Sequence, residues 1–189
     1  MHRAPATLPD LLRPGLDVVF VGINPSLYSV AQGHYFARRT NRFWPCFSRS
    51  RLSEKVRRGL GVECLDRSHD DALPDFGFGF TDLVKRPTAR AGDLSKRELV
   101  GGAAALTDKL LHFRPRAVCF HGVTIYRVVA PLLGVNAAAF ALGPQPPAIG
   151  RSFLFVAPNP SPANAHFTAT QQTEWYDRLA GELQSRPGE

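Results

Sequence analysis

The sequence predicts one α/β domain: a three-layer αβα sandwich around a central, mostly parallel four-stranded sheet. Three observations carry that expectation. The runs Asp17–Ile23, Ala117–Gly122 and Phe153–Ala157 are rich in β-branched and aromatic residues with no charge inside, the pattern of strands buried on both faces. Helical patterns lie between them, which argues helices on both faces of a parallel sheet. Finally, 189 residues without an internal repeat or a linker suit a single domain spanning 1–189.

Taken in order, residues 1–16 are punctuated by Pro5, Pro9 and Pro14 and read as a surface lead-in. The first strand ends abruptly at Asn24-Pro25, because proline cannot donate to a ladder and forces its predecessor into an extended or turn conformation. Residues 25–40 read as a functional loop holding Gly33, two aromatics and Arg38-Arg39. A helix is predicted over 41–52, capped by Thr40 or Asn41, with Phe43, Trp44, Phe47 and Leu52 turned inward. A short helix is expected around Glu63–His69. The run Phe76–Val84 reads as a fourth, weaker strand whose glycines permit close backbone approach. Lys85–Arg90 is a basic loop. Ser95 and Glu98 form a capping box opening a helix to about Phe113, which Pro115 ends. Residues 123–133 read as a helix with Gly134 behind it, 143–147 as a stiff loop, and 170–184 as a final amphipathic helix.

Composition narrows the functional classes. A hydrophobic content of 44% is that of a globular chain and excludes wholesale disorder. The net charge of +7 fits a polyanionic partner, or simple solubility. Cys46, Cys64 and Cys119 are scattered and odd in number, so they predict neither a disulfide framework nor a CxxC metal site. No apolar run reaches membrane-spanning length, and no signal-peptide core opens the chain. The expectation is a soluble, cytoplasmic protein.

Two strands run into matched turns, Gly22-Ile-Asn-Pro-Ser26 and Pro158-Asn-Pro-Ser161, and both turns belong at the carboxyl edge of the sheet, where open α/β sheets bind ligands. With Gly33-His-Tyr-Phe-Ala37, Asn41-Arg-Phe-Trp44, Thr81–Thr88 and Asp93–Glu98 in the same order and spacing, the chain resembles the mismatch-specific uracil/thymine-DNA glycosylase family of the uracil-DNA glycosylase superfamily. The resemblance runs from about Val18 to Phe167. It implies a monomeric DNA repair enzyme, working without a metal or cofactor, that flips uracil, or another damaged or mismatched pyrimidine, out of DNA and hydrolyses the N-glycosidic bond. The expected partner is double-stranded DNA containing uracil or a mismatch, with single-stranded DNA as a further candidate.

By that resemblance, Asn24 holds the attacking water, which an amide can orient but not deprotonate. Gly22, Ile23, Phe36 and Asn159 bind the extruded base, Phe36 by stacking and Ile23 and Phe36 through backbone groups. Ser26 stands where the family usually has glycine, beside the C5 position of the base, so acceptance of thymine is not implied. Ser161, Pro162, Ala163, Asn164 and Ala165 occupy the turn that meets DNA, but the alanines replace a bulkier wedge. Lys85, Arg86 and Arg90 are candidate phosphate contacts. His34, His112 and His121 read as structural. Since Asn24 takes no proton, a carboxylate is expected to complete the site. Asp17 lies at the wrong end of its strand, and Asp82 is nearer but non-acidic in the family. Asp93, acidic in family members, is the candidate for polarising the water, with capping of the next helix as the alternative. Two other classes compete: a lesion-recognising protein that binds without cutting, and a nucleotide-binding Rossmann enzyme. The second lacks a glycine-rich phosphate turn after the first strand.

Overall fold

Strand β1 (Val18–Gly22) is buried at all five positions. An uncharged run can only be so when parallel neighbours flank it and helices cover both faces. In the computed structural model, which describes residues 6–136 and 141–186, those neighbours are β2 (Phe78–Asp82) and β3 (Ala117–His121). With β4 (Gly143–Ile149) and β5 (Ser152–Ala157) they form a five-stranded sheet in the order β2-β1-β3-β5-β4. The first four are mutually parallel, and β4 returns antiparallel along β5.

Side chains of alternate residues point to opposite faces of a strand, and the two faces here carry separate cores. Val18, Phe20, Phe78, Phe80 and Cys119 pack with α2 (Phe43–Arg49), α3 (Glu54–Leu60) and α6 (Ala169–Ser185). Val19, Val21, Val118 and Phe120 pack with α4 (Lys96–Phe113) and α5 (Val123–Val129). The result is the expected αβα sandwich, and its first core is aromatic. Phe20 lies within 5.2–6.2 Å, centroid to centroid, of Phe43, Phe47, Phe78, Phe80 and Tyr176. That cluster anchors the strand whose end carries the functional turn.

Four expectations need correction. The sheet has five strands, not four, because Gly143–Ile149 is an edge strand, with a register shift between Gln145 and Ala148. Prolines that would be excluded from a central strand are tolerated at such an edge. The lead-in is not merely superficial: Leu8 and Leu16 are buried, and Leu11 exchanges backbone hydrogen bonds of 2.9 and 3.0 Å with Phe80, covering the free edge of β2. The loop after β1 holds a one-and-a-half-turn helix, α1 (Leu27–Gln32). The short helix expected around 63–69 is displaced: α3 ends earlier, at the left-handed Gly61, and a 3-10 helix begins only at Arg67 and runs to Phe76.

Candidate active site

The carboxyl ends of β1, β2 and β3, with the segment that follows β5, open into one cavity of about 790 Å³. Gly22–Ser26 and Thr88–Ala91 border it on one side, and Asn159 with Ser161–Asn164 on the other. Asn24 sits in the first turn with its amide orientation fixed. Its Nδ2 donates to Arg86 O at 2.9 Å and to Thr88 Oγ1 at 2.8 Å. The Thr88 hydroxyl donates onward to Arg90 O at 2.7 Å, so it has only acceptor capacity left for Asn24. Both amide protons are thereby committed. What remains for the cavity is Oδ1, an acceptor.

Asn159 is held in the complementary sense. Its Oδ1 accepts the Ser161 N–H at 2.9 Å, an Asx turn, which leaves Nδ2 as the donor. Gly122 explains how Asn159 packs so close to β3. Its φ of +105° suits glycine, and a Cβ there would lie 3.2 Å from the Asn159 Cβ. The turn is clamped by Arg42, whose guanidinium donates to the carbonyls of Ser161, Asn164 and Phe167 and whose N–H donates to Pro160 O.

Phe36 lies on the cavity wall with a φ of +52°, a left-handed conformation that an aromatic residue rarely adopts. Its neighbours impose it. Tyr35 N–H is held by Asp70 Oδ2, Tyr35 O by Trp44 Nε1, and Ala37 O by Arg67, so the chain is pinned on both sides. One face of the ring is stacked on Phe43, with centroids 4.5 Å apart and planes inclined by 22°. Strain retained where the surroundings over-determine it points to a site. Ser26 also borders the cavity, and it has a local role: its Oγ caps α1 by accepting the Ser29 N–H.

Two buried titratable residues face the same cavity, Asp82 at the end of β2 and His121 at the end of β3. Burial pushes the Asp82 carboxyl up to about 6, against the pull of Lys85. Burial likewise depresses the His121 imidazole to about 3 and keeps it neutral. Its Nε2 pairs with Tyr176 Oη at 3.0 Å, while Nδ1 has no hydrogen-bond partner among the described residues.

Of the residues singled out from the sequence, Gly22, Ile23, Asn24, Ser26, Phe36, Arg90, Asn159, Ser161, Pro162, Ala163 and Asn164 border the cavity. Ala165, Lys85, Arg86 and Asp93 do not. Asp93 is exposed on a 3-10 turn (Ala91–Asp93), where its carboxylate accepts the Arg90 N–H at 3.0 Å. That is a local capping arrangement, not a position at the cavity. Lys85 is also committed elsewhere: its ammonium contacts Asp10, Tyr35 Oη and Asp82, so it is not free to meet a phosphate. Arg86 is engaged bidentately by Glu98. Sequence reading missed Thr88 and Arg42, and took His121 for a purely structural residue although it borders the cavity. The legible signal for His121 was its place as the last polar residue of an apolar run, the same place that singled out Asn24.

The sequence profile of the Uracil DNA glycosylase superfamily matches residues 9–183. The chain belongs to that superfamily. Membership makes it a DNA glycosylase of base excision repair, acting on uracil-type lesions. The match begins in the lead-in that covers β2 and ends within α6, so it takes in every strand and both sides of the cavity. Among the described residues, no helix of this glycosylase is long and apolar enough to cross a membrane.

Proposed function

We propose that the cavity is the excision pocket of a monofunctional glycosylase of the mismatch-specific uracil/thymine type, which takes uracil out of the DNA stack, seats it against Phe36 and hydrolyses its bond to the sugar. The observation that carries this is the forced orientation of Asn24. A water donating one proton to Asn24 Oδ1 turns a lone pair outward, toward the C1′ of a nucleotide whose base lies in the pocket. As the C1′–N1 bond breaks, its electron pair leaves with the base and the sugar becomes cationic. The water oxygen then bonds to C1′. An amide cannot take the water's proton, so that proton is lost only after attack and ends on the released base, leaving neutral uracil and an abasic site. Such a route relies on positioning rather than on a strong base, since well-oriented reactants alone can supply roughly 7–11 kcal/mol of the barrier.

The remaining parts fit the same reading. Asn159 Nδ2 is a donor for a carbonyl of the base, which gains negative charge as the bond breaks. Ser26 narrows the wall beside Phe36 and favours uracil over C5-methylated bases. Arg90 at the rim, with the Ser161–Ala165 turn, faces the DNA backbone. The test is excision from oligonucleotides carrying U·G, U·A or T·G pairs, and from single strands, followed by alkaline cleavage of abasic sites. Uracil release from U·G and U·A alike, with little from T·G, is expected, because Ala163 and Ala165 offer no bulky contact to the opposite base. Tight binding to uracil-containing DNA with no release from any substrate would instead support a lesion-recognising protein.

A further inference from the structure

The excision pocket leaves the start of α1 and the neighbouring Arg38-Arg39 pair without a role. A single exposed apolar side chain is ordinary, but two in succession at the mouth of a site are not. Leu27 and Tyr28, 55% and 36% exposed, open α1 directly after Ser26, a residue of the cavity border. The Leu27 N–H donates to Thr88 O at 3.1 Å, and Thr88 borders the same cavity. Leu27 is therefore held at the rim by its backbone while its side chain stands out from the core. The other exposed large apolar residues described are Val100 and Leu111 on α4 and Leu132 in the 3-10 turn after α5, and none of them borders the cavity.

Charge around α1 has one sign. No Asp or Glu occurs between Asp17 and Glu54. Arg38 and Arg39 are exposed, and no carboxylate among the described residues pairs with either. Tyr28 is fixed between two arginines: the Arg38 guanidinium lies 5.3 Å from its ring centroid, and Arg67 donates to its hydroxyl at 3.4 Å. Arg90 borders the cavity beyond Thr88. An apolar point among such cations suits a polyanion that also offers apolar surface, and a DNA duplex opened at one base step is one. The turn across the cavity carries Ala163 and Ala165, too small to fill the space of a base.

We infer that Leu27 is the side chain that enters the duplex, filling from the α1 side the space the extruded base leaves, with Arg38 and Arg39 on the flanking phosphates. The inference rests on the excision-pocket reading. Extrusion bares the faces of two neighbouring base pairs, and an apolar side chain between them covers those faces and obstructs the return of the base. The Leu27 Cα follows that of Ser26 at about 3.8 Å, so wedge and pocket wall move as one piece. Ser26 stiffens the join, since its Oγ accepts the Ser29 N–H at 3.0 Å.

The experiment is single-turnover uracil release by the native protein and by Leu27→Ala, which keeps the backbone bond to Thr88. The substrates are U·A and U·G duplexes and a duplex with a pyrene nucleoside opposite uracil, whose aromatic surface fills the stack and leaves the uracil already displaced. Leu27→Ala is expected to lose about tenfold or more on U·A and U·G, and to stay within about twofold of the native rate opposite pyrene. Native rates on U·A and U·G in Leu27→Ala overturn the inference. So does a loss that pyrene leaves unrelieved, which would place Leu27 in the pocket or the fold instead. No uracil release by the native protein from any duplex overturns the excision-pocket reading and this inference with it.

Discussion

The Thr88 hydroxyl is predicted to act on catalysis only through Asn24, and Thr88→Val isolates that role. The substitution preserves shape but removes the acceptor for Asn24 Nδ2 and the donor to Arg90 O. Asn24 keeps its second bond, to Arg86 O. A hydrogen bond of this kind has a net worth of about 0.5–1.5 kcal/mol, and each 1.4 kcal/mol is about tenfold. The fraction of molecules with Oδ1 correctly turned should thus fall roughly 2–10-fold, with a similar loss in single-turnover excision. Asn24→Ala removes the water's anchor altogether and should cost on the order of 10²-fold, the scale of losing attack geometry. The double variant should be no slower than Asn24→Ala, because no amide remains to be oriented. Rapid-quench excision assays on all four proteins give the coupling, expected to equal the whole Thr88→Val effect. DNA affinity should be unchanged throughout. Additive losses would refute the argument, since residues acting through one another cannot behave as independent sites.

Three further outcomes follow from the geometry. Phe36→Gly and Phe36→Ala both remove base stacking, worth roughly 1–3 kcal/mol, but the glycine variant should melt higher, because only glycine relaxes a left-handed backbone; an alanine variant that melts higher would mean the neighbours do not impose that conformation. Ser26→Gly should cost only a few tenths of a kcal/mol as a helix cap and yet raise thymine release relative to uracil several-fold; an unchanged ratio would reduce Ser26 to its capping role. In salt titrations of DNA binding, Arg90→Ala should make the log–log slope shallower by about 0.9, one phosphate, whereas Arg86→Ala, already neutralised by Glu98, should leave the slope as it was.

The strands that position the site were legible because burial on both faces leaves an unbroken apolar signature, and α4 because Ser95 and Glu98 advertise its start. Asn24 was legible for the same reason: a polar residue directly after a buried strand must lie at the sheet edge. What was not legible depends on contacts distant in the chain. Asp82 borders the cavity only because Gly22 leaves room beside its carboxyl. Arg42 read only as one residue of the predicted 41–52 helix, but its guanidinium holds carbonyls 119–125 residues away. The proline-bearing β4 violates strand propensity and forms because β5 offers an edge. Asp93 was misleading in the opposite way. Ser95 and Glu98 do cap α4, but Asp93 serves a separate short turn just before it.

The most direct measurement of the central claim is excision in ¹⁸O-labelled water, with the released base and the DNA product read by mass spectrometry. The account predicts free uracil and an intact strand whose abasic C1′, reduced with borohydride at the moment of quenching, carries one ¹⁸O, both products forming about 10²-fold more slowly in Asn24→Ala. Strand cleavage without alkali, or products formed at the native rate in Asn24→Ala, would contradict water attack positioned by that side chain.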